Sequence, residues 1–215
     1  MQNVKLSNTS KLGVKSWSLE ALDTCQGSKD KNGNLVPACA GCYATTGFYL
    51  FGAAKGVRAF NKEAWKTDTF VSEFIQELDK ERYFRWFDSG DMYTLELAEK
   101  MYSIMVATPW VKHWVPTRMQ KFSKFADVIA RMNALDNVVV RFSSDSVTGE
   151  YTKGLHGSTI LPTAEQADSN TFVCKAYENE GKCGTCKACY DKKVNLIGYV
   201  AHGRKMAKVI KLTQI

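Results

Sequence analysis

The stretch RYFRWFDSGDMYTLELAEKMYSIMVATPWVKHWVPTR, Arg82 to Arg118, decides the fold. Arg82 to Phe87 is rich in aromatics and reads as a strand, stopped by Asp88-Ser89-Gly90-Asp91. From Thr94 to Ala107, residues Leu97, Ala98, Met101, Tyr102 and Met105 recur at helical spacing, and Pro109 ends the helix. Val111 to Val115 is a second strand, closed by Pro116-Thr117-Arg118. Strand, helix, strand predicts a βαβ unit, and such a crossover joins parallel strands.

The unit repeats outward. Upstream, Gly13 to Leu19 alternates apolar and polar residues as a strand does, and Thr69 to Lys80 carries Phe70, Val71, Phe74, Ile75 and Leu78 on one helical face. Downstream, Ser123 to Met132 reads as a helix and Asn137 to Phe142 as a strand. The units recur every 25 to 28 residues or so, which implies an α/β fold whose parallel sheet is either open or wrapped into a barrel. Between the first strand and first clear helix lie a turn-rich loop, Glu20 to Cys42, and a glycine-interrupted stretch, Tyr43 to Lys66, that reads as two shorter helices. After Gly149 the alternation fades. Ser158–Leu161 and Thr171–Val173 read as short strands, Leu196–His202 as a closing strand, and Arg204, Lys205, Lys208 and Lys211 as a basic tail. Residues 1–12 are polar and peripheral. No low-complexity linker divides the chain, so residues 1–150, with the strand–helix units, and 151–215, with a cysteine-rich segment and the closing strand, are parts of one domain.

Seven cysteines carry the chemistry, and all fall in two groups. Cys25, Cys39 and Cys42 form C-x13-C-x2-C in the long loop; Cys174, Cys183, Cys186 and Cys189 form C-x8-C-x2-C-x2-C. Thiolates bind iron or zinc, and two-residue gaps let successive sulfurs face one ion or cluster. The start of the chain has no apolar core and no stretch approaches the ~20 apolar residues of a membrane span, so a cytoplasmic protein with reduced thiols and no membrane is expected. Three thiolates can hold three irons of a cubane and leave one coordination position open, whereas four close a site. One or two [4Fe-4S] clusters are therefore expected, with zinc as the alternative at Cys174, Cys183, Cys186 and Cys189. The C-x2-C-x2-C run resembles part of the bacterial ferredoxin pattern, which favours iron. A shared site drawing cysteines from both groups is a further alternative.

Ligands of parallel α/β sheets sit beyond the C-terminal strand ends. Polar residues gather there: Asp88 to Asp91, then Thr117-Arg118, then Arg141 with Ser143, Ser144 and Asp145. The first cysteine loop opens on the same rim. Singly, each of these residues reads as an ordinary loop or helix-cap residue; together with the thiols they mark a site. Of the histidines, His113 reads as a packed or rim residue rather than a ligand, His156 lies in a glycine-rich loop from which it either reaches the site or sits in water, and His202 reaches the rim if the last strand is parallel. A net charge of +7 suits an anionic partner such as nucleic acid or a phosphorylated substrate, weighed against a merely solvated lysine-rich surface.

The ordered segments CAGCYA (Cys39–Ala44), RWFDSGD (Arg85–Asp91), WVPTR (Trp114–Arg118), VVVRFSSD (Val138–Asp145) and GKCGTCKACYD (Gly181–Asp191) resemble the phage "gene product eighty-eight" family, from about Gly13 to His202. More distantly the layout is similar to the radical S-adenosylmethionine (SAM) superfamily. That resemblance implies a partial (βα) barrel of radical-SAM-like type, a relative of the TIM barrel, with a Cys-rich C-terminal segment. It implies a [4Fe-4S] cluster on Cys25, Cys39 and Cys42, and SAM at the open iron. Tyr43 would stand beside the cluster, Ser89, Gly90 and Asp91 would receive the SAM amine, and Arg141 and Ser143 would complete the SAM site. The superfamily's usual spacing is C-x3-C-x2-C, so the cluster loop here is enlarged. The implied protein is a phage iron–sulfur protein of the host cytoplasm, a redox or SAM-radical oxidoreductase acting on a small-molecule or macromolecular substrate. Its competitors are a non-catalytic nucleic-acid-binding module with structural Fe–S or zinc, and a pure electron carrier.

Overall fold

A computed structural model describes residues 4–152 and 156–213. Eight strands form one sheet: β1 (Ser7–Asn8), β2 (Lys15–Trp17), β3 (Tyr83–Trp86), β4 (Lys112–Thr117), β5 (Val138–Ser143), β6 (Gly157–Leu161), β7 (Thr171–Cys174) and β8 (Leu196–Val200). Their order across the sheet is β1-β2-β3-β4-β5-β6-β8-β7. β1 is antiparallel to β2 and every other neighbouring pair is parallel. The helices are α1 (Pro37–Ala40), α2 (Gly52–Ala64), α3 (Phe70–Glu77), α4 (Leu95–Ala107), α5 (Ala126–Ala134) and α6 (Arg204–Thr213).

The alternation in β3 sets the two faces. Phe84 and Trp86 are fully buried on the helix side, while Tyr83 and Arg85 point the other way. The β2–β3 register places Trp17 opposite Trp86; Trp17 packs with Phe70 and Phe74 of α3, and Trp86 with Phe74. Phe74 stacks on Trp86 with centroids 4.8 Å apart. Each such aromatic contributes about 2–3 kcal/mol by leaving water. Thr94 caps α4, its hydroxyl accepting the Leu97 N–H at 3.2 Å. Met101, Ile104 and Met105 of that helix then extend the same core.

His113 sits in this core, fully buried. Trp86 Nε1 donates to its Nδ1 at 3.3 Å, so the proton is on Nε2, which donates to Thr108 Oγ1 at 2.9 Å. Thr108 Oγ1 in turn donates a hydrogen bond to the Ile104 carbonyl at 2.7 Å. Burial pushes the His113 pKa down to about 3.

Three features depart from the sequence-based expectations. Residues 7–12, expected only to be polar and peripheral, belong to a hairpin over 7–17 at the sheet edge, where Thr9 accepts and donates across the turn to Val14. Leu196–Val200 does not close the sheet: β8 lies between β6 and β7. The basic tail is a helix, α6, whose Met206, Val209 and Ile210 recur at helical spacing and pack against Ala38 and Val147. Among the described residues no helix is long and apolar enough to cross a membrane.

Parallel neighbours need a crossover, commonly a helix. Between β7 and β8 the cysteine-rich segment makes it, on the face opposite α3, α4 and α5. Tyr190 packs edge-on to Tyr83 and Trp114, and Cys183 N–H donates to the Lys11 carbonyl at 2.8 Å. Having little helix or strand, the segment leaves carbonyls to be satisfied. Arg141, fully buried, donates to the carbonyls of Ala188, Cys189, Asp191 and Val194 at 2.8–3.0 Å.

Replacing Arg141→Met strands those four carbonyls and should cost about 3–5 kcal/mol of unfolding free energy in urea titration. Arg141→Lys should recover only part of the loss, since an ammonium cannot match the fork of bonds. His113 makes stability fall with acid. Its folded pKa lies below the ordinary 6.5, so the unfolded chain takes the proton first and stability drops as pH falls from about 6.5 to about 3. Ring nitrogen shifts of His113 should stay those of a neutral imidazole from about pH 8 to about pH 5.

Candidate metal centre

The first cysteine loop leaves β2 and is fastened to three strand ends. Leu19 N–H donates to the Ser89 carbonyl at 2.9 Å, and Ser89 Oγ returns a bond to the Leu19 carbonyl at 2.7 Å. Gly90 has φ +84°, and a Cβ there would come within 2.6 Å of Leu19 Cβ, so only glycine lets the β3 loop lie this close to the cysteine loop. Phe87, just before, also takes a left-handed φ of 53°, a conformation costing about 1 kcal/mol or more for a bulky residue. Its N–H bond to the Trp17 carbonyl (2.8 Å) and its buried ring hold it there.

Asp91 ties the ends together. Its carboxylate accepts from Thr117 Oγ1 (2.7 Å), Arg118 N–H (2.9 Å) and Met92 N–H (2.8 Å), while its own N–H reaches Thr24 Oγ1 in the cysteine loop at 3.4 Å. Burial pushes the Asp91 pKa up and those donors pull it back. Farther along, Lys121 donates to the Gly27 carbonyl at 2.7 Å and pairs with Asp145 at 2.5 Å. The Asp145 carbonyl accepts from Ala38 N–H at 2.9 Å. The loop is thus fixed at both ends, with regular structure of its own limited to a turn at Gln26–Ser28, an antiparallel bridge between Lys29 and Leu35, and the four residues of α1.

Within that frame Cys39 is buried, and Cys25 and Cys42 are half-buried. Burial, reinforced by Asp91, pushes the Cys25 thiol up to about 12. Burial also raises Cys39, against the pull of Arg118. The thiols acting on Cys25 and Cys39 are all from this group, so the three share one microenvironment. Next to Cys42, the Tyr43 hydroxyl donates to the Asp88 carbonyl at 2.6 Å and accepts from Arg85 Nη2 at 3.2 Å. Burial of the hydroxyl raises its pKa although the residue as a whole is 49% exposed. Asp88 is held by Arg85 at 2.6 Å and by the Tyr49 hydroxyl.

The second group gathers where β7 ends. Cys174 is the last residue of β7, and Cys183 and Cys186 share a turn closed by a 3.0 Å bond from Cys186 N–H to the Cys183 carbonyl. Cys189 Sγ lies 3.5 Å from the Tyr199 hydroxyl. Burial raises the Cys183 and Cys189 thiols, and Cys174 acts on both. Arg141 lies beside Cys189, through the carbonyl bonds already described.

Among the described residues no three Cys, His, Asp or Glu side chains close up as a site for one ion. A tetrahedral zinc with ~2.3 Å bonds needs its sulfurs about 3.8 Å apart; a polynuclear cluster spreads them further. The donors near each group are sulfurs, not imidazoles. His113 is locked in the core, His156 Nε2 bonds the Lys192 carbonyl at 2.9 Å, and His202 is exposed ahead of α6. Ser28 Oγ, three residues from Cys25, is buried without a partner, as are Arg85 Nε, Trp114 Nε1 and Tyr190 Oη on the face opposite the helices. The donors of the two groups are three and four sulfurs, of which Cys39 is buried, Cys186 exposed and the other five half-buried.

The residues expected to hold SAM are placed as follows. Tyr43 stands at the first group. Ser89, Gly90 and Asp91 lie against its loop, with the side chains of Ser89 and Asp91 committed to internal bonds. Arg141 serves the second group. Ser143 is half-buried at the end of β5, on the same strand face as Arg141. Arg85 and Lys121 were not expected from the sequence. Arg85 had a signal, since its position between Phe84 and Trp86 sends it to the opposite face. Lys121 had none, because only the fold brings it to Gly27.

A sequence model described as Gene product 88 matches residues 2–205. No curated protein and no solved structure matches the chain. The matched region contains all seven cysteines and all eight strands, and ends just inside α6. On that match the chain belongs to the Gene product 88 family.

Proposed function

We propose that this protein is an iron–sulfur protein on a radical-SAM-like partial barrel. Cys25, Cys39 and Cys42 would hold a [4Fe-4S] cluster with one open iron. Cys174, Cys183, Cys186 and Cys189 would close a second site, a cluster or zinc. The observation that carries this reading is the location of the first group: three mutually influencing thiols in a fastened loop after the first parallel strand, on the rim where later strand ends deliver Asp91, Arg118 and Asp145.

When bound, an open-iron cluster supplies one-electron reduction and a coordination position for an outside ligand. The chain's own residues do the rest. The bonds of Ser89, Asp91, Lys121 and Asp145 keep the cysteine loop in register, so the thiols meet the metal without ordering a free loop. Arg118 and Lys121 lower the cost of a thiolate at Cys39. Tyr43, next to Cys42 in the chain, has its hydroxyl anchored by Asp88 and Arg85. SAM is the first exogenous ligand to test; because Ser89 and Asp91 already spend their side chains internally, main-chain groups of residues 88–91 are its candidate partners.

Protein purified without oxygen should carry about four to eight irons per chain, with a charge-transfer band near ~400 nm. Cys42→Ala should lose the first cluster and keep metal at the second group, so iron or zinc by elemental analysis falls without vanishing. Wild-type protein without iron would overturn the cluster reading, and complete loss of metal from Cys42→Ala would replace two sites with one shared site. SAM should perturb the electron paramagnetic resonance spectrum of the reduced wild-type protein but not that of Cys42→Ala; an unchanged wild-type spectrum removes SAM while leaving the clusters.

A further inference from the structure

Immediately after Cys42 the chain turns outward. Phe48 is 81% exposed, Phe51 59% and Leu50 51%, and the two phenyl rings meet edge to face with centroids 5.2 Å apart. None of the residues in the Gly47–Leu50 turn is buried. Exposed rings gathered this way mark a contact surface.

The neighbouring element is α6. Lys205 Nζ donates to Thr45 Oγ1 at 2.6 Å, tying the helix to the aromatic segment. A Cβ on Gly41 would meet Met206 Sδ at 2.7 Å and Met206 Cα at 3.2 Å, so the helix rests directly on the backbone beside Cys42. Its apolar residues, Met206, Val209 and Ile210, face Ala38 and Val147, which leaves Arg204, Lys205, Lys208 and Lys211 outward.

The charge distribution is one-sided. Residues 40–62 and 201–213 contain seven Lys and Arg and no Asp or Glu. The remaining 22 Lys and Arg equal the 22 Asp and Glu, so the net +7 of the chain belongs to these two segments. Lys62 is drawn to Glu20 and Asp23, and Arg58 is buried. Lys55, Arg204, Lys205, Lys208 and Lys211 are exposed and make no ion pair among the described residues.

We propose that Phe48 and Phe51 together with the basic face of α6 form a binding surface for single-stranded nucleic acid beside the first cysteine group. Phosphates would meet the unpaired cations and unstacked bases would lie on the two rings, the combination that single-strand binders use. A duplex hides its base faces and has nothing to offer the phenyl rings. A lipid surface fits less well, because Met206, Val209 and Ile210 of α6 are spent on the protein core and only Leu212 of its large apolar residues is exposed to enter a bilayer. The proposal needs no metal, so it stands or falls apart from the iron–sulfur reading.

The test uses the full-length protein, purified without oxygen, and a fluorescent oligothymidylate of about 20 nucleotides, its duplex with oligoadenylate, and vesicles of phosphatidylglycerol with phosphatidylcholine. Anisotropy should report tighter binding of the single strand than of the duplex, with an affinity that falls with salt. The double variant Phe48→Ala, Phe51→Ala should weaken single-strand binding by about 10- to 100-fold with its salt slope kept. Lys208→Ala with Lys211→Ala should lower the slope by about 1.4, the value for two lost phosphate contacts on a single strand. All four positions are exposed, and circular dichroism confirms that the variants fold. Equal affinity for the duplex, no loss on removing the rings, or binding to vesicles alone would each overturn the proposal.

Discussion

The guanidinium of Arg141 is the contact on which the C-terminal third depends. It is a buried cation whose four hydrogen bonds all go to backbone carbonyls. Burying an unpaired charge is costly, and burial lowers the pKa of this group. The cost is offset because the cysteine-rich crossover otherwise has carbonyls and little secondary structure to satisfy them. An α-helical crossover satisfies its own backbone; this one relies on Arg141, and metal bound to Cys174, Cys183, Cys186 and Cys189 would fasten its other side.

A comparable economy organises the rim. Asp91 collects donors from its own loop and from the end of β4, and its backbone meets the cysteine loop at Thr24. Lys121 and Asp145 repeat the arrangement one strand further. Carboxylates that look free in the sequence are structural ties, and their work is to hold three thiols in place. This explains how a stretch from Ser18 to Cys42 with little regular structure can hold three thiols in a defined place.

Much of the fold was legible beforehand. Phe84 and Trp86 alternate with Tyr83 and Arg85, and Leu97, Met101 and Met105 keep helical spacing, because local periodicity reflects which side of an element meets the core. The helix α6 was also written in Met206, Val209 and Ile210, yet its four cations drew the eye to a tail. The place of β8 between β6 and β7 was not legible: strand order depends on long-range pairing, which leaves no local mark. At the site, the two cysteine groups were visible from spacing alone. The partners of Arg141 were not, since backbone carbonyls carry no residue-type signal.

The sequence by itself therefore determined the α/β class, the division of the seven cysteines into three and four, and the rim on which the first loop opens. It could do so because periodicity and residue type are local properties. Only the tertiary structure decided that Arg141 supports the second cysteine group, that Asp91 is spent on holding strand ends, and that the aromatic turn after Cys42 lies against a basic helix. Those outcomes depend on residues up to 160 positions apart in the chain, as with Thr45 and Lys205, meeting within hydrogen-bond distance, which packing of the whole sheet imposes.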